Sequence, residues 1–333
     1  MRGSILIMTL LIISVLVVTV TESMRRMQVE QVSAAIFSST AKGRALNRSA
    51  QALAQHLLAR DLADQKQKAD HPGEAWALFP DQDQVDLPPL LPGQLNATLI
   101  DEQGKFPINS LVTDNGSWSE AHRQTLANLL GNPPFSLPEE KISELMPRIK
   151  DWLDADNRPT GVHGAEADTY ALEKGDATCR NGPLIFAREL LLVKGMPRDI
   201  FPSADDQPGL DDLLSVHTRG AININTAGPE LLAAMVNPDV NQETAAEFAA
   251  EMITYRQDPM HFEFLSESDW YRNRMAGYND IQLPAQLVTT TSDIYALRVT
   301  AHIGSTQTSR YTVLKRDGAE DGASFRTLHT ETE

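Results

Sequence analysis

The sequence predicts an α+β fold in which one long N-terminal helix packs on a small antiparallel sheet, with a large all-α segment inserted into the sheet unit. The first 60 residues combine an apolar run with further apolar residues at helical spacing. Short β-rich segments lie at 96–100 and 293–315, on either side of a long stretch with helical patterning. Because a single strand does not form a stable sheet, we expect the early segment to pair with the late ones.

Composition places the chain among globular proteins and argues against some functions. The chain has 333 residues, which corresponds to about two folded units at roughly 150 residues per domain. Asp and Glu number 45 against 29 Lys and Arg, giving a net charge of −16. This balance argues against nucleic acid as a partner, because duplex binding relies on cationic side chains. The single cysteine, Cys179, excludes an intrachain disulfide and a multi-cysteine metal site, and we assign it no role.

The N-terminal apolar run has the composition of a membrane anchor. Ile5–Val20 is apolar apart from three small hydroxyl residues, and its length of about 16 residues is slightly below the roughly 20 of a full span. A secretory signal peptide needs a small-x-small cleavage site after such a run, and none follows here. Apolar residues continue at helical spacing instead, so we predict one helix over residues 4–60 whose first half, about 5–21, spans a membrane. Arg2 precedes the run and Arg25 follows it, so charge does not fix the orientation.

The rest of the predicted sheet unit comes from two separate stretches, residues 61–110 and 289–316. The proline-bearing Asp61–Pro92 is expected to form loops, and Asn96–Ile100 a strand. A turn follows at 101–105, where Gly104 is free to adopt a positive φ. The late stretch predicts a hairpin of strands at 293–303 and 309–315 around a Gly-Ser-Thr-Gln turn.

The inserted segment, residues 111–288, is expected to be helical and to form one module or two, at about 111–215 and 216–288. The polar residues 317–333 are expected to form a flexible tail. Apolar residues at three and four spacing predict helices at Ser119–Leu130, Glu139–Leu153, Pro183–Leu192, Asp211–Leu214, Ala227–Met235 and Glu243–Arg256.

An acidic loop after the predicted helix 139–153 is the strongest local signal for a ligand. Calcium takes about six to eight oxygen ligands from carboxylates, amides and carbonyls, and glycines let the backbone curl around an ion. An EF-hand does not fit, because its twelfth position, counted from Asp154, would be Ala165. The alternative is a solvated acidic loop without metal. The candidate calcium ligands are Asp154, Asp156, Asn157, Thr160, Glu166 and Asp168.

The segment Ile222–Ala227 resembles the opening of a SAM-like or helix-hairpin-helix module, with Thr226 placed to cap the next helix. In DNA-binding modules of this kind, a glycine-rich hairpin offers backbone N–H groups to phosphate. The corresponding stretch here, Val236–Asn241, has no glycine and contains Pro238 and Asp239. A structural helical module is therefore the better interpretation. The sequence also lacks the common metalloprotease, serine-hydrolase and P-loop motifs, so no enzymatic activity is predicted.

The N-terminus resembles that of type IV prepilins and type II secretion pseudopilins. Those proteins have a short basic leader that ends in glycine, followed by an apolar run that continues as a long helix. The resemblance implies that prepilin peptidase cleaves after Gly3 and leaves Ser4 as the methylated mature N-terminus. Most members carry Glu at the fifth mature position, where this chain has Met8. A subunit without that carboxylate gains nothing from a neighbour on that side, which implies a place at a filament end.

The order of the motifs resembles the K-type minor pseudopilins in particular. Asp-Trp-Leu-Asp-x-Asp is followed by Gly-Ala-Glu-x-Asp-x-Tyr, and a pilin-like unit carries a large helical insertion. The resemblance implies calcium in the helical domain, and a tip complex with minor pseudopilins I and J that primes assembly of the pseudopilus. It also implies other pseudopilins and prepilin peptidase as partners, no nucleic acid, and a single-pass inner-membrane protein with a periplasmic C-terminal domain. The alternatives are a membrane-anchored periplasmic calcium-dependent hydrolase and a helix-hairpin-helix DNA-uptake protein.

Overall fold

The structure is a computed structural model that describes residues 2–63, 69–79, 85–86, 94–172, 179–204, 207–319 and 322–332. Its longest element is helix α1, Arg2–Ala63, which has 62 residues and therefore a length of about 90 Å. The side chains of the apolar run Ile5–Val20 are exposed. Hydroxyl groups in this run, such as those of Thr9 and Ser14, donate to carbonyls of the preceding turn, which makes them compatible with a membrane helix.

The described residues form nine strands: β1 (Val85–Asp86), β2 (Gln94–Asp101), β3 (Phe106–Pro107), β4 (Leu214–Ser215), β5 (Ile222–Asn223), β6 (Val288–Thr289), β7 (Ile294–Ile303), β8 (Thr306–Ala319) and β9 (Gly322–Thr332). Five of them make one antiparallel sheet in the order β1-β2-β7-β8-β9. The other four form two short parallel pairs, β3 with β4 and β5 with β6.

The predicted pairing of an early strand with late strands is confirmed. β2 runs antiparallel to β7, with Ile100 opposite Ala296. β7 continues into β8 through a hairpin in which Gly304 has a φ of +60°. Glycine favours such a left-handed turn because it has no Cβ. The sheet unit is thus assembled from segments that the helical insertion separates in sequence.

The second half of α1 packs on this sheet through small and apolar side chains. Ala50, Ala54 and Leu58 are buried in one cluster with side chains of β2 and β7. Nearer the N-terminus, the helix backbone at Gly43 approaches β8 closely. A Cβ at this position would lie 2.3 Å from Thr308 Oγ1, so the Thr308 side chain packs directly on the helix backbone.

The C-terminal residues form a strand where polar composition predicts a flexible tail over 317–333. β9 pairs antiparallel with β8, and Arg310 lies opposite Thr332. β9 contains several Thr residues and Phe325, residue types that favour strands, and Phe325 packs against the cluster beneath α1. The strand also provides hydrogen-bond partners for the edge of β8. Composition alone does not predict this pairing.

The stretch predicted as loops, Asp61–Pro92, is partly described. α1 continues to Ala63, beyond the predicted helix end near residue 60. Residues 69–79 form turns, and their side chains Trp76 and Phe79 are buried in the cluster between α1 and the sheet. The other predicted loop residues, 64–68, 80–84 and 87–92, lie outside the described residues.

Seven further helices make up a helical head in the described part of the insertion. They are α2 (Glu120–Gly131), α3 (Glu139–Leu153), α4 (Ala167–Leu172), α5 (Leu210–Leu213), α6 (Pro229–Met235), α7 (Gln242–Gln257) and α8 (Trp270–Arg274). The predicted helix at Pro183–Leu192 is instead a short 3-10 helix at Ala187–Leu192. The remaining predicted helices match within one or two residues, which is the usual uncertainty of helix ends.

The helical head has one apolar core that includes residues from both predicted modules. Leu126 and Ile149 from the first share this core with Leu231 and Phe248 from the second. Phe106, which was predicted to belong to the sheet unit, is also fully buried in the core of the head. The head therefore begins at about residue 106, earlier than the predicted boundary at 111.

Candidate metal centre and the junction between sheet and head

The acidic loop begins where α3 ends. Asp154 caps the C-terminus of α3, and its backbone N–H donates to the Lys150 carbonyl at 2.8 Å. The loop then turns at Gly161, which has a φ of +63°, and α4 begins at Ala167. The sequence thus places acidic residues on both sides of a tight loop whose two ends are held by helices.

Asp151, in the last turn of α3, holds the loop in its curled shape. Its carboxylate is fully buried and accepts hydrogen bonds from the backbone N–H groups of Thr160, at 2.9 Å, and Ala165, at 2.7 Å. Gly164 is required here because a Cβ would lie 2.5 Å from Asp151 Oδ2. Asp151 is part of the Asp-Trp-Leu-Asp motif but was not predicted as a calcium ligand. Only the folded loop shows that its carboxylate binds backbone N–H groups.

Three of the six predicted ligands are brought together. Carboxylate oxygens of Asp154, Asp156 and Glu166 lie within 4.8 Å of one another. Asp154 Oδ1 and both oxygens of Glu166 are buried without a hydrogen-bond partner. Burial, together with the nearby carboxylates of Asp151, Asp154 and Asp156, raises the pKa of Glu166 to about 7. Lys150 supplies one positive charge through its ion pair with Asp154 Oδ2.

The other three predicted ligands have described contacts or positions of their own. Asn157 Oδ1 accepts a hydrogen bond from Asn181 Nδ2 at 2.7 Å. Thr160 turns its backbone N–H toward Asp151, where it acts as a donor. Asp168 is exposed in the first turn of α4. Three carboxylates do not fill a calcium shell of about six to eight ligands, so further oxygens from the loop or from water would have to complete it.

These residues fit a hard divalent cation. Calcium prefers oxygen ligands and tolerates irregular geometry, and the cluster offers only oxygens. Buried carboxylate oxygens without donors are costly unless a cation or a proton neutralises them. The cysteine nearby is not part of the donor set, because the Cys179 thiol donates to the Asp151 carbonyl at 3.3 Å, and burial raises the pKa of this thiol to about 11.

A second acidic group lies where the end of α1 meets the sheet, but it already contains a cation, Arg316. Asp61, Asp70 and Glu74 also come within 4.8 Å of one another. The Arg316 guanidinium bonds Asp61 Oδ2 at 2.7 Å and Asp70 Oδ1 at 2.6 Å. The backbone N–H of Ser292 donates to Asp70 Oδ2 at 2.7 Å. With a built-in cation and saturated Asp70 oxygens, this group is a structural ion-pair network rather than a metal centre.

The Ile222–Ala227 motif joins the head to the sheet. Asn223 Nδ2 bonds the Asp70 carbonyl, Asp101 Oδ2 and Ser292 Oγ at 3.1, 3.0 and 2.8 Å. The Thr226 hydroxyl donates to Asp101 Oδ2, and α6 is instead capped at Gly228. The prediction that Thr226 caps the helix is therefore wrong, because a buried carboxylate of the sheet unit takes its hydroxyl. We call Asp70, Asp101, Asn223, Ser292 and Arg316 the junction cluster.

Gly104 contributes to the same junction for a different reason from the predicted one. Residues 102–104 form a 3-10 turn, and Gly104 is not among the residues with positive φ. A Cβ at Gly104 would lie 2.9 Å from the Thr226 carbonyl carbon. Glycine at this position thus permits close contact between two backbones.

The predicted processing and assembly residues lie in the first turns of α1. Gly3 and Ser4 have helical backbone. Met8 is 66% exposed on the surface of the helix. α1 is long and apolar enough to cross a membrane, by its length and composition.

A helix of membrane-spanning length that continues onto an antiparallel sheet and carries an inserted helical head defines a pilin-like, membrane-anchored class of protein. Residues 104–204 match the family model for protein K of the type II secretion system. Two relatives bear the same description. One, from Pseudomonas aeruginosa, is 31% identical over 200 residues, covering 57% of this chain and 54% of the relative. The other, from Klebsiella pneumoniae, is 29% identical over 243 residues, covering 70% of each.

The fold is also similar to a chain in the crystal structure of the GspK-GspI-GspJ complex from enterotoxigenic Escherichia coli. The TM-score is 0.61 at 22% identity, over 86% of this chain and 94% of the matched one. The predicted pilin-like α+β fold is thus confirmed, and the chain is similar to protein K of the type II secretion system over residues 104–204 and in both relatives. The chain spans about half the length of the first relative.

Proposed function

We propose that this chain is a minor pseudopilin of the type II secretion system, which joins the tip complex of the periplasmic pseudopilus and primes its assembly. The observation that carries the proposal is the arrangement of α1. The side chains of its apolar N-terminal half are exposed, and its C-terminal part packs against the sheet. A subunit built in this way gains stability by placing the exposed half in a bilayer or against similar helices. The role is assembly rather than catalysis, and it assists the export of folded proteins across the outer membrane.

The proposed location is the inner membrane, with a single span and with the sheet unit and head in the periplasm. The span would be the apolar run Ile5–Val20. The proposed partners are minor pseudopilins I and J, since the similar crystal structure is a complex with chains of those names. Met8, which leaves no carboxylate at the fifth mature position, favours a place at the filament end.

Co-purification tests this assignment. The full chain, expressed with minor pseudopilins I and J and extracted in mild detergent, is expected to elute with them in one complex. A strain without the chain is expected to retain its exported proteins in the periplasm. Normal secretion in that strain, together with elution of the chain apart from minor pseudopilins I and J, would contradict the proposal.

Prepilin processing is a separate part of the proposal. Prepilin peptidase would cleave between Gly3 and Ser4 and methylate the new amine. Mass spectrometry of the protein purified from membranes is expected to find methylated Ser4 as the first residue. A mature N-terminus beyond Val20 would show that the apolar run is a cleaved signal instead.

Calcium is the proposed ligand of the acidic loop. Asp154, Asp156 and Glu166 would hold it, and its positive charge would satisfy the buried oxygens that lack donors. The ion would tie the end of α3 to the start of α4, so its effect would be on stability. Binding to the folded state alone adds about 2.7 kcal/mol when free calcium is 100-fold above Kd.

Thermal unfolding with calcium or with EDTA tests the metal. The wild-type chain is expected to melt at a higher temperature in calcium than in EDTA, whereas Glu166→Gln should melt at the same temperature in both. Asp168→Asn is a matched control, because Asp168 is acidic but exposed outside the cluster, and it should keep the calcium effect. A wild-type chain that melts identically in calcium and in EDTA would contradict a calcium site.

A further inference from the structure

The middle of α1 carries positive charges that form no ion pair with the part of the chain that the structure describes, in an otherwise acidic protein. Residues 31–60 contain Lys42, Arg44, Arg48 and Arg60 and no acidic residue, while the whole chain has a net charge of −16. Arg44 and Arg48 are exposed, and neither forms an ion pair with any described residue. Four residues apart, these two side chains lie on the same face of the helix.

This face borders a groove between the helix and the sheet. One cavity of about 550 Å³ follows the helix past Ile36 and Phe37, and a second of about 440 Å³ lies between the helix and β8. Arg44 and Arg48 line both cavities, which are therefore neighbours on this face of the helix. Arg310 of β8 adds a third guanidinium, whose Nε donates to the Thr312 hydroxyl and which forms no ion pair with the described residues. We call this surface, made of Ile36, Phe37, Arg44, Arg48 and Arg310, the basic groove.

The groove combines its charge with exposed apolar surface. The Phe37 side chain is 77% exposed and Ile36 is 50% exposed. Both precede Arg44 on the same side of α1, at a spacing that forms a ridge along the helix. Surface of this kind fits an occupant that has an apolar face beside negative charges, and that lies alongside α1 in the manner of helix packing.

The distance from the membrane excludes lipid headgroups as the source of that negative charge. Arg44 lies 24 residues beyond Val20 in one continuous helix, which corresponds to about 36 Å at 1.5 Å per residue. The Debye length at physiological ionic strength is about 8 Å. A charge so far from the bilayer surface is screened from it, so its partner must be a protein in the periplasm.

We propose that the basic groove receives an acidic, amphipathic helix of a neighbouring pilin-like subunit. Carboxylates of that helix would pair with Arg44, Arg48 and Arg310, and its apolar side chains would cover Ile36 and Phe37. The proposal rests on the proposed function, since it presumes that the chain assembles with other subunits. It goes beyond that function by naming the charges of the groove as the feature that selects the neighbouring subunit and fixes its position along α1.

The experiment compares charge reversal in the groove with charge reversal elsewhere. The full chain in detergent micelles is titrated with the purified minor pseudopilin I and J pair at low and at physiological salt. Arg44→Glu/Arg48→Glu is expected to weaken binding at least tenfold and to remove most of the salt dependence. Arg44→Lys/Arg48→Lys should retain most of the affinity. The control, Arg198→Glu/Arg272→Glu, makes the same change in net charge at two exposed arginines of the head and should bind as the wild type does.

The apolar part of the groove gives a second, separable readout. Phe37→Ser is expected to weaken binding without changing the salt dependence. If the wild-type chain binds the I and J pair and charge reversal leaves its affinity and salt dependence unchanged, the basic groove proposal is wrong. If the wild-type chain does not bind them, the proposed function itself fails. Loss of retention on vesicles with anionic lipid, with the complex intact, would assign the arginines to a membrane and also overturn the proposal.

Discussion

Replacement of Glu74 by glutamine should make the stability of the protein less dependent on pH. Glu74 is only 3% exposed, and its Oε2 accepts hydrogen bonds from Trp76 Nε1 at 2.6 Å and from the His71 backbone N–H at 3.1 Å. Its Oε1 has no hydrogen-bond donor among the described residues, and the Glu74 and Asp61 carboxyl groups lie close enough to interact through a hydrogen bond. Two carboxyl groups in such contact are stable only when they share a proton. Glutamine keeps the acceptor for Trp76 and offers Asp61 an amide N–H in place of that proton.

The size of the effect follows from linkage. Burial, reinforced by the negative charge of Asp61, raises the pKa of Glu74 from 4.5 to about 8. The folded state therefore holds a proton that the unfolded chain has already released. This contribution to stability is complete below pH 4.5 and is lost as pH rises through the folded-state pKa. One pKa unit corresponds to 1.36 kcal/mol, so between pH 6.5 and pH 9 the wild type should lose about 2 kcal/mol from this group.

Urea unfolding of the full chain in detergent, followed by tryptophan fluorescence, measures the difference. Wild type and Glu74→Gln are compared at pH 6.5, 7.5 and 9 in EDTA. Other buried groups with raised pKa values, such as Glu166 and Asp101, occur in both proteins and cancel in the comparison. Glu139→Gln, at an exposed position on α3, is the matched control. Parallel stability curves for wild type and Glu74→Gln would refute the shared proton.

Three substitutions test the close contacts that define the fold. Gly43→Ala should lower the free energy of unfolding in urea by about 1–3 kcal/mol, although alanine usually favours a helix, because the new Cβ would meet Thr308. Thr308→Ala in the same chain should restore the stability. Unchanged stability of the single Gly43→Ala variant would contradict the contact. Gly164→Ala should weaken calcium binding in a fluorescence titration, because its Cβ meets Asp151 Oδ2. Asn223→Leu should lower the melting temperature, because it leaves buried acceptors unpaired. Such a loss costs about 1–3 kcal/mol in free energy of unfolding.

The local patterns in the sequence were sufficient for the long helix, the main strands and the acidic loop. An apolar run that continues at helical spacing predicts α1 directly, because no other structure satisfies its backbone in a membrane. The strand at 96–100 was assigned its distant partner because a lone strand is unstable. The acidic loop was found because carboxylates were close in sequence, and three of those six residues do meet.

Features that depend on contacts between distant segments were missed. The polarity of β9 gives no indication that it completes the edge of β8. Thr226 has the residue type of a helix cap, but its hydroxyl is used by Asp101, which lies 125 residues earlier in the chain. The basic groove also escapes a sequence reading, because Arg310 reaches Arg44 and Arg48 only once α1 lies on the sheet. In each case the deciding partner lies on another element.

The junction cluster explains how the head keeps a fixed orientation relative to α1. The chain enters the head after β2 and leaves it before β7, and these two strands are hydrogen-bonded neighbours. Two connections side by side would act as a hinge. Asn223 of the head bonds Asp101 and Ser292 beside these connections, and Arg316 ties Ser292 and Asp70 to the end of α1 through the Leu58 carbonyl and Asp61.

Hydrogen bonds of this kind are directional and buried, so a rotation of the head would leave several donors and acceptors unpaired at about 1–3 kcal/mol each. An apolar interface of the same area would slide at lower cost, because the hydrophobic effect is not directional. Under the proposed function, the subunit assembles through its helix and presents its head beyond the filament, so the two would have to move as one body. The polar junction supplies that rigidity where the sequence shows only an Asn-rich motif.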